Sequence, residues 1–509
     1  MILRLILGDQ LNPNHSWFEE VNKDVCYVLI ESAAETGYVR HHIQKIAAFF
    51  IAMRRFSDHL EDAGNKVEYL KLDDERSKST ISETLKFLSE EWDVDEIQYQ
   101  MPDEYRLDQE LLSLEDEVDI PVTSVDSEHF LTSRTDLEKH FEGKKTYVME
   151  SFYRMMRRKY NIMLDEDGNP EGGEWNYDQK NRKKYKGKPA VPEDLSFNHS
   201  ASKINELLES QNVETIGEKS STSDWPADAD EAEQVLEHFL KEALPWFGTY
   251  QDAMHTDYET LFHSRISFAL NTKMIDPLTV VEKSIAYWRA HQEEIEINQI
   301  EGFVRQILGW REFMRGIYWA KMPEYAALNH FNHKRKLPEW YWTGDTKMNC
   351  LHHAIKQSLE TSYAHHIQRL MITGNFALLA GIDPDEVDAW YLGIYIDAIE
   401  WVEITNTRGM SQFADGGIVG TKPYISSANY IDKMSNYCSD CHYAKTKKTG
   451  EKACPFNSLY WQFYHRHADT MKNNHRVAMM YRTWDRMGDE KQKALIDQAE
   501  YYLDHIEKL

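Results

Sequence analysis

Residues Met1–Leu11 read MILRLILGDQL, in which a short apolar run ends at Gly8 and passes directly into polar sequence. Four similar runs follow, and longer segments with helical periodicity separate them. The five runs are Leu3–Leu7, Tyr27–Glu31, Val67–Leu72, Glu96–Gln100 and Pro121–Val125. Short strands that alternate with helices are typical of βαβ units around a parallel sheet. The sequence therefore predicts an α/β domain over residues 1–135.

Residues 229–509 differ from the first domain, because helical periodicity dominates and aromatic side chains are dense. Residues 136–228 include a long polar stretch with many Gly, Pro, Asn and Ser residues, which is typical of a connecting segment. The sequence therefore predicts an interdomain linker over 136–228 and a nearly all-helical domain over 229–509. A length of 509 residues agrees with two or three domains.

Composition and charge restrict the function classes. The chain is 41% hydrophobic, and no apolar run approaches the roughly 20 residues of a membrane span, so we expect no membrane association. The N-terminal apolar run is too short for a secretory leader, which favours the cytoplasm. A net charge of −27 argues against diffuse affinity for DNA, so any contact with DNA requires a local basic patch. The run Lys180–Lys188, which includes Arg182, is one candidate.

Four of the five cysteines lie in the last third of the chain, which favours metal ligands over disulfides. Two residues separate Cys438 from Cys441, twelve more precede Cys454, and Cys350 lies upstream. Four thiolates can hold zinc or a 4Fe-4S cluster. The spacing leaves both alternatives open, together with a third in which four reduced thiols are unconnected. Cys26 lies in an apolar run and is predicted to be an ordinary core residue.

Three segments of the helical domain resemble, in their order along the chain, the flavin-domain motifs of photolyases. They are EGFVRQILGWREF at Glu301–Phe313, YAHHIQRL at Tyr363–Leu370 and DAIEWVEITN at Asp397–Asn406. The four cysteines and three shorter segments resemble the iron–sulfur bacterial branch of the cryptochrome/photolyase family. Those segments are GDQL at Gly8–Leu11, FADGG at Phe413–Gly417 and KPY at Lys422–Tyr424. Members of this branch repair (6-4) photoproducts in DNA or act as cryptochromes, and the resemblance extends essentially from end to end.

The resemblance implies a fold and a set of cofactors. It implies a Rossmann-like α/β domain followed by an all-helical domain that holds FAD in a U-shaped conformation. It also implies a 4Fe-4S cluster on the four cysteines, which favours iron over zinc, and a 6,7-dimethyl-8-ribityllumazine antenna in the α/β domain. UV-damaged DNA is the expected partner, and a divalent cation is a candidate bridge between carboxylates and DNA. The protein is expected to be a monomer in the bacterial cytoplasm.

Eight residues correspond by this resemblance to groups that hold the flavin. His263, Ser264 and Ser267 lie in a segment similar to the one that binds the diphosphate, where hydroxyl groups and backbone donors suit an anion. The others are Trp310, Arg311, Asp397, Glu403 and Asn406. Glu403 departs from the family pattern, since most photolyases have asparagine facing the N5 atom of the flavin. A buried carboxyl group there can be protonated and can pass on its proton, because burial raises its pKa.

His365 and His366 correspond to the pair that protonates the lesion in (6-4) enzymes. Without the surrounding motif, two adjacent histidines would more often be surface or packing residues, and His366 is our candidate for the acid. A flipped lesion requires apolar and aromatic walls, for which Met410, Tyr424 and Tyr430 are candidates.

Two further groups of residues follow from the resemblance. Trp342, Trp390 and Tyr391 resemble the aromatic relay that reduces FAD in this branch. Antenna contacts are predicted at the ends of the first two strands, where α/β folds bind ligands. The candidates there are Gly8, Asp9, Gln10 and Glu35.

The leading hypothesis is an enzyme that repairs (6-4) photoproducts in light, by electron transfer from photoexcited reduced FAD to the lesion and back. The first alternative is a cryptochrome-like blue-light photoreceptor without repair activity. The second is a non-photochemical iron–sulfur module that binds DNA, because the helical four-cysteine region also resembles that of primase large subunits. Turnover of damaged DNA separates the first alternative from the enzyme, and purification without flavin would favour the second.

Overall fold

The structure, a computed structural model, describes residues 1–144 and 146–509. Its N-terminal region forms a five-stranded sheet in the order β3-β2-β1-β4-β5, and neighbouring strands are parallel throughout. The strands are Ile2–Ile6 (β1), Val25–Ile30 (β2), Lys66–Leu70 (β3), Glu96–Gln100 (β4) and Val122–Val125 (β5). The prediction of an α/β domain with a parallel sheet is thus confirmed.

Helices cover both faces of the sheet, which explains why the inner strand β2 is continuously apolar. All six residues of β2, VCYVLI, are buried. Tyr27 and Leu29 point to one face, where the helix Ile43–Asp62 packs, and Cys26 and Val28 point to the other. The helices of this region are Ala33–Gly37, Ile43–Asp62, Ile81–Glu91 and Tyr105–Ser113.

The segment predicted as a linker, 136–228, contains the helices Asp136–His140, Met149–Lys159 and Ser202–Ser210. The Met149–Lys159 helix packs on the helical region because its apolar residues, including Phe152 and Tyr153, are fully buried. The Tyr153 hydroxyl donates a hydrogen bond of 3.1 Å to Glu301 Oε1. This part of the segment therefore lies against the helical domain.

Residues beyond 228 are predominantly helical, as predicted. The longer helices are Ala229–His238, Pro277–Ala290, Ile297–Val304, Glu312–Lys321, Asn349–Thr361, Pro384–Ile394, Pro455–Arg466, Ala478–Asp485 and Asp489–Asp504. The shorter ones are Leu244–Tyr250, Ser267–Asn271, Trp340–Thr343, His366–Gln368, Asn375–Ala380, Glu400–Ile404, Ala428–Met434 and Ala468–Met471. Across the described ranges 1–144 and 146–509, no helix combines the length and the apolar character of a membrane span.

Wide π-helical turns interrupt the helices that carry the motifs. They cover Arg305–Arg311, Arg369–Gly374 and Thr405–Ser411, and each follows directly on a helical segment. Such turns are rare and occur frequently at functional sites. Each of the three motif segments therefore contains or adjoins an irregular turn.

Candidate functional site

A cavity of about 160 Å³ opens at the carboxyl ends of the sheet strands. Residues after β1, β2 and β4 line it, so it lies at the point where the strand order reverses. Open parallel sheets bind ligands at such a point, because the loops diverge there. The wall also includes Ala398 and Ile399 of the helical domain. The cavity is therefore shared by the two domains.

Three of the four predicted antenna residues, Gly8, Asp9 and Glu35, line this cavity. Glu35 accepts two hydrogen bonds from Arg106 Nη2, at 2.7 and 2.9 Å. Gln10 differs, because its side chain is fully buried and braces β1 against β4. Its Oε1 accepts from the Leu7 N–H at 3.0 Å, and its Nε2 donates to Gln100 O at 3.1 Å. Gln10 thus supports the strand ends, whereas the other three form the wall.

Asp9 also belongs to a buried ion group between the domains. Lys273 Nζ lies 2.8 Å from Asp9 Oδ2 and 3.0 Å from Asp103 Oδ2, and its side chain is almost fully buried. Burial disfavours the charged form of all three groups. The attraction of the two carboxylates outweighs burial at Lys273, raises its pKa and keeps it charged. Removing one member of such a group leaves an uncompensated buried charge.

Lys273→Met is therefore expected to lower the free energy of unfolding by about 3–5 kcal/mol, because Asp9 loses its cation while Asp103 keeps Arg315, whose Nε lies 3.3 Å from Asp103 Oδ1. Urea unfolding followed by circular dichroism measures this. Lys493→Met serves as the control, because Lys493 pairs with Asp497 on the exposed surface, and we expect no measurable change there. Equal effects of the two substitutions would contradict the structural role of Lys273.

The two adjacent histidines have different environments. His365 is buried and stacks on His263, with ring centroids 4.5 Å apart, and its Nδ1 has no hydrogen-bond partner among the described residues. His366 is exposed at the protein surface, so a ligand can reach it. Burial and then the Arg369 charge lower the pKa of His366 to about 4.

An ion pair lies next to this pair of histidines. Arg369 Nη1 donates to Asp397 Oδ1 at 2.8 Å, and Ser267 Oγ donates to Asp397 Oδ2 at 2.6 Å. Burial opposes the charge of Asp397, yet Arg369 and Ser267 hold its pKa below the usual value. Asp397 is therefore an ionised carboxylate with a fixed orientation.

Glu403 has the opposite character. It is buried, and Thr407 Oγ1 donates to its Oε1 at 2.5 Å. Burial, followed by the neighbouring Asp388 carboxyl group, raises the pKa of Glu403 well above its usual value. The pKa values of the two predicted flavin carboxyl groups are thus shifted in opposite directions, downward for Asp397 and upward for Glu403.

Four other predicted flavin residues make contacts with nearby parts of the helical domain. His263 Nε2 lies 3.1 Å from Gln251 O, and Ser264 Oγ accepts from the Ile266 N–H at 3.4 Å. Asn406 Nδ2 donates to Val402 O at 2.7 Å within its own turn. Trp310 is half-buried and packs edge-on against Phe313, with centroids 6.1 Å apart.

Arg311 is buried and its guanidinium contacts the α/β domain. Its Nη2 lies 3.0 Å from His129 Nε2, and the group covers the Phe130 ring at 4.5 Å. The sequence motif predicted a flavin contact for Arg311, whereas these contacts join the two domains. Its Nε has no hydrogen-bond partner among the described residues.

Two of the three predicted relay residues, Trp390 and Tyr391, belong to a larger aromatic group. Trp390 and Tyr391 have ring centroids 5.4 Å apart, and Trp390 lies 5.3 Å from Tyr341. Trp342 is half-buried, and the Arg40 guanidinium lies 5.4 Å above its ring. Tyr395 adds a ring 5.8 Å from Trp390.

The residues predicted to contact DNA converge from the linker and the helical domain. Burial raises the pKa values of Tyr424 and Tyr430, and both tyrosines also interact with the charges of Arg182 and Asp178. Arg182 is exposed and forms an ion pair with Asp178. Met410 is buried in the turn that follows Glu403.

The four predicted metal ligands share one small cavity, which Tyr437 and Met348 also line. Cys350 and Cys454 are buried, and Cys438 and Cys441 are half-buried. Within residues 1–144 and 146–509, no group of three or more His, Cys, Asp or Glu side chains could hold a single metal ion. The four cysteines therefore line a common space, and the metal that they predicted is not shown.

Several residues at these sites were missed by sequence reasoning. Glu104 and Lys45 line the cavity between the domains, and Arg369 orients Asp397. Glu104 lies in the segment that connects β4 to the next helix, so the rule that ligands bind at strand ends could have identified it. Lys45 lies in the apolar helix Ile43–Asp62, and its register offered no such signal.

Comparison with known proteins agrees with the motifs. Residues 4–225 match the family model described as "Deoxyribodipyrimidine photo-lyase-related protein". The chain is 41% identical to the (6-4) photolyase of Agrobacterium fabrum, over 98% of this chain and 99% of that protein. In structure it is similar to a bacterial class III photolyase from Agrobacterium tumefaciens, with a TM-score of 0.58 at 17% identity, covering 85% of this chain and 84% of the other. It is also similar to the Synechocystis cryptochrome, with a TM-score of 0.55 at 9% identity and 98% of both chains covered.

The two structural likenesses show the fold, and the sequence identity along nearly the whole of both chains shows the family. The chain therefore belongs to the cryptochrome/photolyase family, in the group that includes the (6-4) photolyase of Agrobacterium fabrum.

Proposed function

We propose that this protein repairs (6-4) photoproducts in DNA in a light-driven reaction. The observation that carries the proposal is the arrangement around His366, in a chain 41% identical to a (6-4) photolyase. His366 is open to a ligand, His365 has an unpartnered buried nitrogen, and the Arg369–Asp397 ion pair adjoins them. A buried polar atom without a partner is rare in proteins and supports the binding of a ligand there.

The residues around Asp397 fit a flavin, which the family supports as cofactor. When bound, reduced FAD would supply the electron that blue light transfers to the lesion and that returns to the flavin after repair. Asp397, fixed by Arg369 and Ser267, is an acceptor for ring N–H groups. Burial raises the pKa of Glu403, so this carboxyl group is a candidate to hold a proton that faces flavin N5. His263, Ser264, Ser267, Trp310, Arg311 and Asn406 remain candidates for the other contacts.

The histidine pair divides the proton chemistry in this proposal. His366 donates a proton to the lesion, because its ring is accessible, and His365 orients the substrate from its buried position. His366 is neutral in the free protein, since its pKa is about 4. The phosphates of a bound strand are negative charges that raise this pKa and favour the protonated form.

The half-buried tyrosines Tyr424 and Tyr430 and the buried Met410 are candidate walls for a flipped base, because aromatic faces replace the lost stacking. The exposed Arg182 is a candidate phosphate contact. A divalent cation that bridges carboxylates to DNA stays a proposal. In the described part of the chain, no group of three or more His, Cys, Asp or Glu side chains could hold this cation.

We also propose a 4Fe-4S cluster on Cys350, Cys438, Cys441 and Cys454. A single zinc ion requires all its sulfurs about 2.3 Å from one point, whereas a cluster fills the space between four separated thiolates. All four cysteines line one cavity, and the resemblance to the iron–sulfur branch favours the cluster over zinc. Burial raises the pKa of Cys438 to about 11 and that of Cys454 to about 12, so deprotonated sulfurs need a bound cation.

The cavity at the strand ends is our candidate for the lumazine antenna. Its wall is largely apolar and carries Asp9, Glu35 and Glu104, which suits a heteroaromatic ring with polar edges. Burial raises the pKa of Glu104 to about 8, so this group can donate a hydrogen bond at pH 7. Trp342, Trp390 and Tyr391 are proposed as the relay that reduces the flavin.

The raised pKa of Glu403 can be tested by measuring how the stability of the protein depends on pH. Its pKa is raised in the folded protein, so the folded state binds more protons than the unfolded chain, and stability falls as the pH rises above the unfolded pKa of about 4.3. Glu403→Gln removes this loss. The melting temperature of the variant relative to wild type is expected to be higher at pH 8 than at pH 5. A difference that is constant with pH would contradict a raised pKa of Glu403.

The repair reaction is tested with a duplex that carries one (6-4) photoproduct inside a restriction site. After blue light with the reduced protein, we expect the site to become cleavable, while the sample kept in darkness stays resistant. A parallel duplex with a cyclobutane dimer measures the selectivity for the lesion. A protein that holds flavin but restores neither site would favour the photoreceptor, and a protein that purifies without flavin would favour a non-photochemical DNA-binding module.

A further inference from the structure

Lys45 is a buried lysine that reaches from the α/β domain into the helical domain. It lies in the first turn of the helix Ile43–Asp62, and its ammonium group donates to Leu392 O and Ala398 O, both at 2.7 Å. Leu392 belongs to the last turns of the helix Pro384–Ile394, where carbonyl groups lack partners within the helix and attract a cation. The side chain also lines the cavity between the domains.

Charged and titratable groups face Lys45 from both domains. From the helical domain these are Asp397, Glu403 and Arg369, and from the α/β domain they are Glu104, His41 and His42. The cavity wall adds Asp9, Glu35 and Tyr38. Asp397 and Glu403 are the two carboxyl groups beside the proposed flavin ring. A positive charge on Lys45 therefore interacts electrostatically with a negative charge on the flavin, and the low effective dielectric of the interior strengthens this interaction.

We propose that Lys45 is a positioning residue that brings a positive charge from the α/β domain to the carboxyl groups beside the flavin and so favours the reduced, more negative cofactor. This inference rests on the proposed flavin site. It goes beyond that proposal because it makes the α/β domain a determinant of the flavin reduction potential. The same side chain forms a wall of the cavity, so the two proposed chromophore sites share one charged residue.

The charge of this residue depends on pH. Burial lowers the pKa of Lys45, and the surrounding carboxylates raise it again, which gives a value of about 7. The ammonium form therefore predominates at pH 6 and the neutral amine at pH 9. Any influence of its charge on the flavin is present at the lower pH and lost at the higher one.

The test compares the midpoint potential of the bound flavin in wild type, Lys45→Met and Lys45→Arg. At pH 6 we expect a lower flavin potential in Lys45→Met than in wild type, and a potential close to wild type in Lys45→Arg. At pH 9 we expect the difference between Lys45→Met and wild type to vanish. Lys45→Gln replaces the methionine variant if that one does not fold. Equal potentials in the neutral variants and wild type at pH 6 would overturn the proposal.

Gln44→Met is the matched control for a purely mechanical contact. The Gln44 side chain also donates two hydrogen bonds across the same interface, to Glu218 O at 2.8 Å and Glu360 O at 2.7 Å, but it carries no charge. We expect lower thermal stability and an unchanged flavin potential. A similar shift of the flavin potential in Lys45→Met and Gln44→Met would mean that Lys45 is only a structural contact. A wild-type protein without flavin would overturn the proposed function and this inference together, whereas unchanged potentials in a repair-competent protein would overturn this inference alone.

Discussion

His366→Ala is expected to reduce repair of a (6-4) photoproduct at least about 100-fold, because general acid catalysis by a positioned group contributes about 10²–10⁴-fold. The ring is exposed, so its removal leaves the fold intact. Binding of flavin and of damaged DNA is expected to remain, since the Arg369–Asp397 pair and the candidate lesion walls are unchanged. Single-turnover repair under saturating light separates the chemical step from binding.

His59→Ala is the control for this variant, since His59 is an exposed histidine on the α/β domain. We expect it to repair DNA at the wild-type rate. Full activity of His366→Ala would contradict the assignment of the acid. Loss of flavin from that variant would instead mean that His366 belongs to the cofactor site.

Cys454→Ser is expected to abolish stable binding of iron. Substitution of a residue that only supports a metal ligand lowers metal affinity by about 10–100-fold, so loss of a ligand itself is expected to lower it by more than about 100-fold. Cys454 immediately precedes the helix Pro455–Arg466, so loss of the cluster is also expected to loosen that helix. Iron and sulfide analysis of the purified protein, with its visible absorption, measures the first effect, and thermal unfolding measures the second.

Cys26→Ala is the matched control, because Cys26 is a buried cysteine in β2, remote from the four-cysteine cavity. We expect it to lose some stability and to retain all the iron. Zinc in place of iron in the wild-type protein would contradict the cluster. Undiminished iron in Cys454→Ser would remove Cys454 from the ligand set.

Features with a local signal were predicted from the sequence. The apolar runs gave the parallel sheet because strands buried on both faces are continuously apolar, as β2 is. The rule that ligands bind at strand ends led to Gly8, Asp9 and Glu35, which line the cavity. The same rule could not tell that Gln10 turns inward to Gln100, because that contact joins residues far apart in the chain.

Contacts between the domains were not predictable from periodicity. Lys45 lies on the buried face of an apolar helix, and only the docked helical domain supplies the carbonyl groups that it binds. Arg311 lies in a motif that suggested a flavin contact, and the motif gave no sign that its guanidinium also covers Phe130 of the other domain. The opposite pKa shifts of Asp397 and Glu403 depend on burial and on the neighbours Arg369 and Asp388, whose proximity is a property of the fold.

The most direct test of light-driven repair is chromatography of an oligonucleotide with a single (6-4) photoproduct after incubation with the reduced protein. We predict that the damaged strand is converted to one that coelutes with the undamaged oligonucleotide under blue light, and that it is unchanged in darkness. No conversion in light by a protein that demonstrably holds reduced flavin and binds the oligonucleotide would contradict the account.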